Sequence, residues 1–187
     1  RSVLQEKEDA VVALAGGRSV KGLYDALLSM YQAGEISFSK MTVLSLAEYI
    51  PPQQFNSCRS VIYDAFLRQT DFDVSRLYFP SPEDTQGYDS LIDFCGGIDL
   101  AVLGIGENAH IAYNEPATPY SSLTHVQKLT DATKRQNSVI FGGAENVPDY
   151  AVTMGIKSIC DARDIMLLAF GEEKAQAVYK MLYGRND

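Results

Sequence analysis

Asp99-Leu-Ala-Val-Leu-Gly-Ile-Gly-Glu-Asn-Ala-His-Ile-Ala-Tyr-Asn-Glu-Pro116 runs from a short apolar stretch, Leu100 to Leu103, through two glycines into a loop rich in polar groups. An apolar run that ends on Gly104 and Gly106 reads as a buried strand feeding a loop at one edge of a sheet. In open α/β sheets, ligands bind where strands release their carboxyl ends, which makes His110, Asn108 and Glu115 the first candidates for a site. A lone histidine is usually a surface or core residue satisfied by its neighbours. This one has an amide and a carboxylate close by in the sequence.

Outward from that strand, the same pattern recurs. Val11 to Ala15 makes a short buried strand that runs into Gly16-Gly-Arg-Ser19, and the amphipathic run Val20 to Tyr31 follows as a helix. Strand, glycine loop and helix form a phosphate-binding arrangement. Gly16 and Gly17 let backbone approach an anion, the helix aims N–H groups at it, and Arg18 and Ser19 add a cation and a hydroxyl. Glycine pairs also end strands for steric reasons alone, so this arrangement needs support from elsewhere.

Met41 to Leu46 reads as the next strand, with Ala47-Glu48-Tyr49 at its carboxyl end and a break at Pro51-Pro52. Ser57 to Gln69 reads as one helix with a core stripe of Val61, Ile62, Ala65 and Phe66. Residues 70–90 are loop-like, with a short strand over Arg76 to Phe79 and at most a brief helix after it. Thr130 to Arg135 starts a short helix, Phe141-Gly-Gly-Ala144 is a break, and Val152 to Ile156 is a short apolar piece. Asp164 to Phe170 is the clearest late strand, and the helix that follows, Glu172 to Leu182, carries Lys174 in its first turn. Helix starts favour acids, so a lysine there reads either as solvated or as a cation beside the dipole that helps hold a phosphate. Arg1 to Ala10 reads as the end of a helix. Strands alternating with helices predict a doubly wound, mostly parallel sheet flanked by helices, in a single α/β domain over residues 1–187.

Composition bounds the function classes. With 187 residues, 46% of them hydrophobic, the chain can bury one sizeable core. A net charge of -8 argues against nucleic-acid and anionic-membrane partners, which need a basic face. No apolar run is long enough to span a bilayer and no signal-like start is visible, although Arg1 is not an initiator methionine. Cys58, Cys95 and Cys160, odd in number and far apart, read as reduced thiols of a cytoplasmic protein. No clustered metal ligands stand out, so neither metal nor organic cofactor is expected. Assembly into a homo-oligomer is left open.

The run Gly104-Ile-Gly-Glu-Asn-Ala-His-Ile-Ala-Tyr-Asn-Glu-Pro116 resembles the signature of the glucosamine-6-phosphate deaminases. The likeness continues through Ser122-Leu-Thr-His125, Phe141-Gly-Gly, Val147-Pro-Asp-Tyr-Ala-Val-Thr-Met-Gly155, Asp161-Ala-Arg and Gly171-Glu-Glu-Lys-Ala175. It covers nearly the whole chain. It implies a sugar-phosphate isomerase fold, a small-molecule sugar phosphate as partner, and conversion of glucosamine 6-phosphate, or its galactosamine epimer, to a ketose phosphate and ammonia. By the same resemblance His110 assists ring opening, supported by Glu115 and by the residue at 108. Gly16, Gly17, Arg18, Ser19 and Lys174 fall on the phosphate-holding positions.

The departures are specific. Where the family has Asp-Glu-Tyr, with the Asp as the base that moves the C1–C2 proton, this chain has Ala47-Glu48-Tyr49. The family's Asp two residues before the histidine is Asn108, which hydrogen-bonds but carries no charge, and the intervening glycine is Ala109. Val139 stands where the family has a phosphate-contacting arginine, an absence that Arg18 could offset. The family's first and last strands have no visible counterpart, and the Leu77 to Ser90 region is short. Loss of one general base costs about 10²- to 10⁴-fold in rate. Glu48 is the nearby carboxylate that could replace it, provided that its side chain turns inward. Three outcomes stay open: a deaminase/isomerase working by general acid and base catalysis, a sugar-phosphate binder that has lost turnover, and a hydrolase resembling 6-phosphogluconolactonase. Ala47 and Asn108 favour the binder, whereas His110, Glu115 and Lys174 favour retained chemistry.

Overall fold

The computed structural model describes residues 2–184, so Arg1, the first residue of the expected N-terminal helix, lies outside the described residues. The helix itself is short, α1 over Ser2–Glu6. Five strands form the main sheet: β1 (Val11–Leu14), β2 (Thr42–Ser45), β4 (Leu77–Tyr78), β5 (Leu100–Gly104) and β8 (Asp164–Leu168), in the order β4-β2-β1-β5-β8. Every pairing in it is parallel. The chain leaves β1 toward β2 and β4, then returns to the other side of β1 to lay down β5. The strand order therefore reverses between β1 and β5, the place where α/β sheets form their ligand crevice.

Near-continuous apolar runs form these strands because both faces of the sheet are covered. Val12, Leu14, Val43 and Val102 point to one face, where Val20 and Tyr24 at the start of α2 (Lys21–Gln32) pack with Phe38, Ile62 and Phe66. Val11, Ala13, Leu44, Ala101 and Leu103 point to the other, against Tyr88 and Ile92 of α3 (Thr85–Phe94) and Ile159 of α5 (Ile156–Cys160). The alternation is the pleat itself. α3 is a full helix of 10 residues rather than the brief one expected, started by Asp84, whose side chain accepts from Gly87 N–H.

Two expectations are corrected. Ala47-Glu48-Tyr49 is not simply the end of the Met41 strand: after Ser45 the chain starts β3 (Ala47–Ile50), which leaves the parallel sheet for a small antiparallel one. There it pairs with β7 (Tyr150–Thr153), which also pairs with β6 (His125–Lys128). Tyr49, Leu129, Val147 and Ala151 make a separate small core beneath it. Ser57 to Gln69 is not one helix but a π-type turn over Ser60–Asp64 followed by a 3-10 turn over Leu67–Gln69. Phe66 departs from helical backbone angles, with φ -125 and ψ -79, and its ring stacks on Tyr24 at 4.7 Å and meets Phe38 edge-on at 5.4 Å. Aromatic packing outweighs helical continuity at that point.

α4 (Asp131–Phe141) is longer than expected, capped by Thr130 at its start and by Gly142, in the left-handed region with φ 70, at its end. The last helix, α6 (Ala175–Tyr183), is preceded by a 3-10 turn over Glu172–Lys174. Among the described residues no helix is long and apolar enough to cross a membrane.

Candidate active site

A cavity of about 300 Å³ opens at the carboxyl ends of β1 and β5. Gly16, Gly17, Arg18 and Ser19 line one side of it, Gly104, Ile105, Gly106 and His110 another, and Glu173 and Lys174 a third. Ala47, Tyr49, Cys58, Tyr113 and Ile140 complete the wall. Three segments far apart in the chain and singled out by sequence thus meet at one place. Asn108, Glu115 and Glu48 do not line the cavity, and each stands differently behind it.

His110 is 9% exposed, and burial lowers its pKa below the ordinary imidazole value of 6.5. Glu115 pulls it back up, and Lys174 pushes it further down. The net direction leaves a neutral ring. Its Nδ1 lies 2.6 Å from Asn108 Oδ1, and Asn108 Nδ2 donates to Glu115 Oε2 at 2.9 Å. The carboxylate accepts only, which turns the amide nitrogen toward it and the amide oxygen toward the ring. His110 Nδ1 must then carry the hydrogen, and Nε2 keeps its lone pair. Glu115 is anchored in turn by the backbone N–H of Thr130 at 2.9 Å. Burial raises the Glu115 pKa, but hydrogen bonds from the threonine pair at the start of α4 and from Asn108 outweigh it, so the carboxyl titrates below its ordinary range.

The loop that carries the ring is close-packed. A Cβ on Gly106 would stand 2.4 Å from the His110 ring, and Gly106 N–H donates to His110 O at 2.8 Å. Ala109 and Ala112, on either side of the histidine, hold positive φ of 70 and 51, a backbone region that costs an L-residue energy.

The phosphate-loop expectation can be placed residue by residue. Gly16 is required by contact, since a Cβ there would lie 2.4 Å from the Cys58 backbone; Gly17 faces open space. Ser19 and Arg18 both line the cavity, and the Arg18 guanidinium also approaches the Gln136 carbonyl at 3.4 Å. Lys174 is 6% exposed and forms no ion pair with any carboxylate among the described residues. Burial lowers its pKa, against the pull of Glu107 and Glu173. A cation so placed costs solvation that an anion in the cavity would restore. Val139 is 75% exposed on α4 and takes no part in the wall.

Glu48 is a correction. Successive side chains of a strand point to opposite sides, and with Ala47 and Tyr49 on the cavity side Glu48 faces away. Its carboxylate accepts from the backbone N–H groups of Tyr49 at 2.8 Å, Cys58 at 3.2 Å and Arg59 at 3.0 Å. Burial raises its pKa more than those bonds lower it. It fastens β3 to the Cys58 segment and offers the cavity no proton acceptor.

Tyr49 and Tyr113 were not among the sequence candidates. Their rings stand 5.2 Å apart on the cavity wall, and burial pushes both hydroxyls well above the ordinary phenol range. Tyr113 lies inside the histidine motif and Tyr49 next to Glu48. Position in those motifs was the available signal.

Residues 1–187 match the family of glucosamine-6-phosphate isomerases and 6-phosphogluconolactonase. The chain is 37% identical to the glucosamine-6-phosphate deaminase of Lysinibacillus sphaericus, over 97% of this chain and 80% of the relative. It is 40% identical to glucosamine-6-phosphate deaminase 2 of Bacillus subtilis, over 97% of this chain and 77% of the relative. A monomeric glucosamine-6-phosphate deaminase of known structure superposes with a TM-score of 0.95 at 36% identity, covering 100% of this chain and 80% of that one. The 6-phosphogluconolactonase of Thermotoga maritima, with a TM-score of 0.76 at 17% identity over 98% of this chain and 80% of that one, shares the fold. The strand order, the histidine loop beside β5 and a match over the full length agree: this chain belongs to the glucosamine-6-phosphate isomerase/6-phosphogluconolactonase family.

Proposed function

We propose that the chain acts on an amino-sugar 6-phosphate, glucosamine 6-phosphate or galactosamine 6-phosphate, by aldose–ketose isomerisation with release of ammonia. One observation carries this reading: the buried Lys174, without an ion-pair partner among the described residues, shares a 300 Å³ cavity with a neutral His110 backed by Asn108 and Glu115. Lys174, Ser19, Arg18 and the backbone of Gly16 and Gly17 hold the phosphate, which fixes the sugar along the cavity. His110 Nε2 takes and returns the proton that opens the ring, and the Asn108–Glu115 pair steadies the imidazolium formed on the way. The deaminases at 37% and 40% identity support the substrate class, because the match covers more than three quarters of their length. The three free cysteines fit the reducing cytoplasm.

A second reading, a sugar-phosphate binder without turnover, draws on Ala47, which lines the cavity where the family's base would stand. Incubation with glucosamine 6-phosphate, followed for ammonia and fructose 6-phosphate and paired with a melting curve, separates the two. Both products, lost in His110→Ala, establish the deaminase. Thermal stabilisation without products establishes the binder.

A further inference from the structure

Among the described residues, the cavity holds one buried base. Among its ionisable lining groups, Arg18 and Lys174 carry positive charge, and burial keeps the Tyr49 and Tyr113 hydroxyls and the Cys58 thiol protonated. Glu173 lies exposed at the rim, its carboxylate folded over Gly171. Ala47 offers only a methyl group. The Glu48 carboxylate sits behind the Cys58 wall with backbone N–H donors on both oxygens, and Glu115 stands behind the ring, 4.0 Å from Nδ1, linked to it through Asn108 and Thr133. What remains is His110 Nε2.

One base is enough to move a proton between two oxygens bonded to the same carbon. Moving hydrogen between two carbons asks for more: a base poised over the C–H bond, while another group handles the hydroxyl protons. Resting on the amino-sugar phosphate reading, we propose that the dominant turnover in this cavity is opening and reclosing of the pyranose ring. The result is interconversion of the two anomers of a hexosamine 6-phosphate, with carbon-to-carbon hydrogen transfer and ammonia release a slow side path.

The step balances. His110 Nε2 accepts the proton of the C1 hydroxyl; the O1–H and C1–O5 bonds break, a C1=O double bond forms, and the same proton passes from Nε2 to O5. Rotation about C1–C2 presents the other face of the aldehyde, and the reverse proton path closes the ring as the opposite anomer. The amine stays on C2. Lys174 holds the phosphate throughout, so the open chain is kept in place between the two half-steps. The lowered pKa of His110 suits a group that must release its proton as readily as it takes it.

Exchange between the α and β anomeric proton signals of glucosamine 6-phosphate, read by exchange NMR at equilibrium with the full chain, measures the proposed step. In the same tube in D2O, loss of the C2 proton signal and ammonia release measure the side path. The expected result is anomer exchange accelerated about 10²-fold or more over buffer, well ahead of C2 exchange and ammonia. His110→Gln loses the acceleration while glucosamine 6-phosphate still raises the melting temperature. Ala47→Asp brings C2 exchange and ammonia up toward the anomerisation rate. C2 exchange and ammonia keeping pace with anomerisation in the unsubstituted chain overturn the proposal and leave the deaminase reading standing. Thermal stabilisation by the sugar phosphate without faster anomer exchange overturns it in favour of the binder. No stabilisation and no chemistry with either epimer overturns the substrate reading along with it. Should Ala47→Asp fail to fold, the unsubstituted chain and His110→Gln decide the matter.

Discussion

His110 Nδ1 lies 2.6 Å from Asn108 Oδ1 and 4.0 Å from Glu115 Oε2, so the histidine reaches its carboxylate through an amide. The amide fixes the tautomer as a carboxylate would, but it contributes no charge to stabilise the imidazolium. Burial then dominates, and the ring titrates below 6.5.

Asn108→Asp is expected to raise the His110 titration midpoint by about one pH unit or more, a carboxylate in contact with a ring being worth about 1–3 units. The neighbouring Glu115 limits the gain, since two adjacent carboxylates resist full ionisation together. Stability follows by linkage. With its folded pKa depressed, His110 costs the native chain no stability above 6.5, and stability falls as pH drops below 6.5, because the unfolded chain binds a proton that the native one refuses. NMR titration of the ring, with melting curves from pH 8 to about pH 5, checks both. A midpoint unmoved by Asn108→Asp would show that contact with residue 108 does not govern the ring.

Lys174→Met should separate binding from stability. The ammonium is 6% exposed and has no ion-pair partner among the described residues, so removing it relieves a desolvation cost, and the melting temperature should hold or rise. Binding of inorganic phosphate should weaken about 10- to 100-fold, since a charge-assisted hydrogen bond contributes about 1.5–3 kcal/mol. Calorimetric titration with phosphate reads the loss of binding, and a melting curve reads the stability. A destabilised variant with unchanged phosphate affinity would make Lys174 a structural residue.

The parts of the site that the sequence discloses are those built by local pattern. β1, β5 and β8 are apolar runs closed by Ala15-Gly16, Gly104 and Phe170-Gly171, and each delivers its loop to the same end of a parallel sheet, so Gly16 to Ser19, His110 and Lys174 converge. What stays hidden depends on pairing over long separations. β3 finds its partner β7 about a hundred residues away, Glu48 opposite Val152, and β6 shows no apolar run at all. Within Ala47–Ile50 strand alternation turns Glu48 away from Ala47, but the strand itself exists only through its pairing with β7. The irregular Ser57 to Gln69 segment is hidden for another reason: helical periodicity is present, but ring stacking of Phe66 on Tyr24 bends the path.

Glu48→Gln tests the structural role assigned to that carboxylate. One amide oxygen cannot serve the backbone donors of Tyr49, Cys58 and Arg59 as two carboxylate oxygens do, and the new NH₂ group faces donors. The expected loss is about 1–3 kcal/mol of stability, the cost of leaving buried donors unsatisfied. Below the melting transition, anomer exchange and ammonia release should stay within about twofold of the unsubstituted chain, far from the 10²-fold loss of a missing general base. Loss of activity at full stability would return Glu48 to the chemistry.

Ala109 carries φ 70 immediately before His110, at the position where the sequence departs from the family's glycine. A left-handed conformation costs an L-residue about 1–2 kcal/mol, whereas the extra freedom of glycine in the unfolded chain costs about 0.4–1 kcal/mol. The balance makes Ala109→Gly stabilising by up to about 1 kcal/mol, a rise of about 2–4 °C in melting temperature for a chain of this size. Gly106→Ala is the opposing control, because its Cβ would stand 2.4 Å from the His110 ring and must displace it. Thermal melts of the two variants should therefore move in opposite directions. A melting temperature lowered by Ala109→Gly would mean that the backbone around His110 carries no strain there for glycine to release.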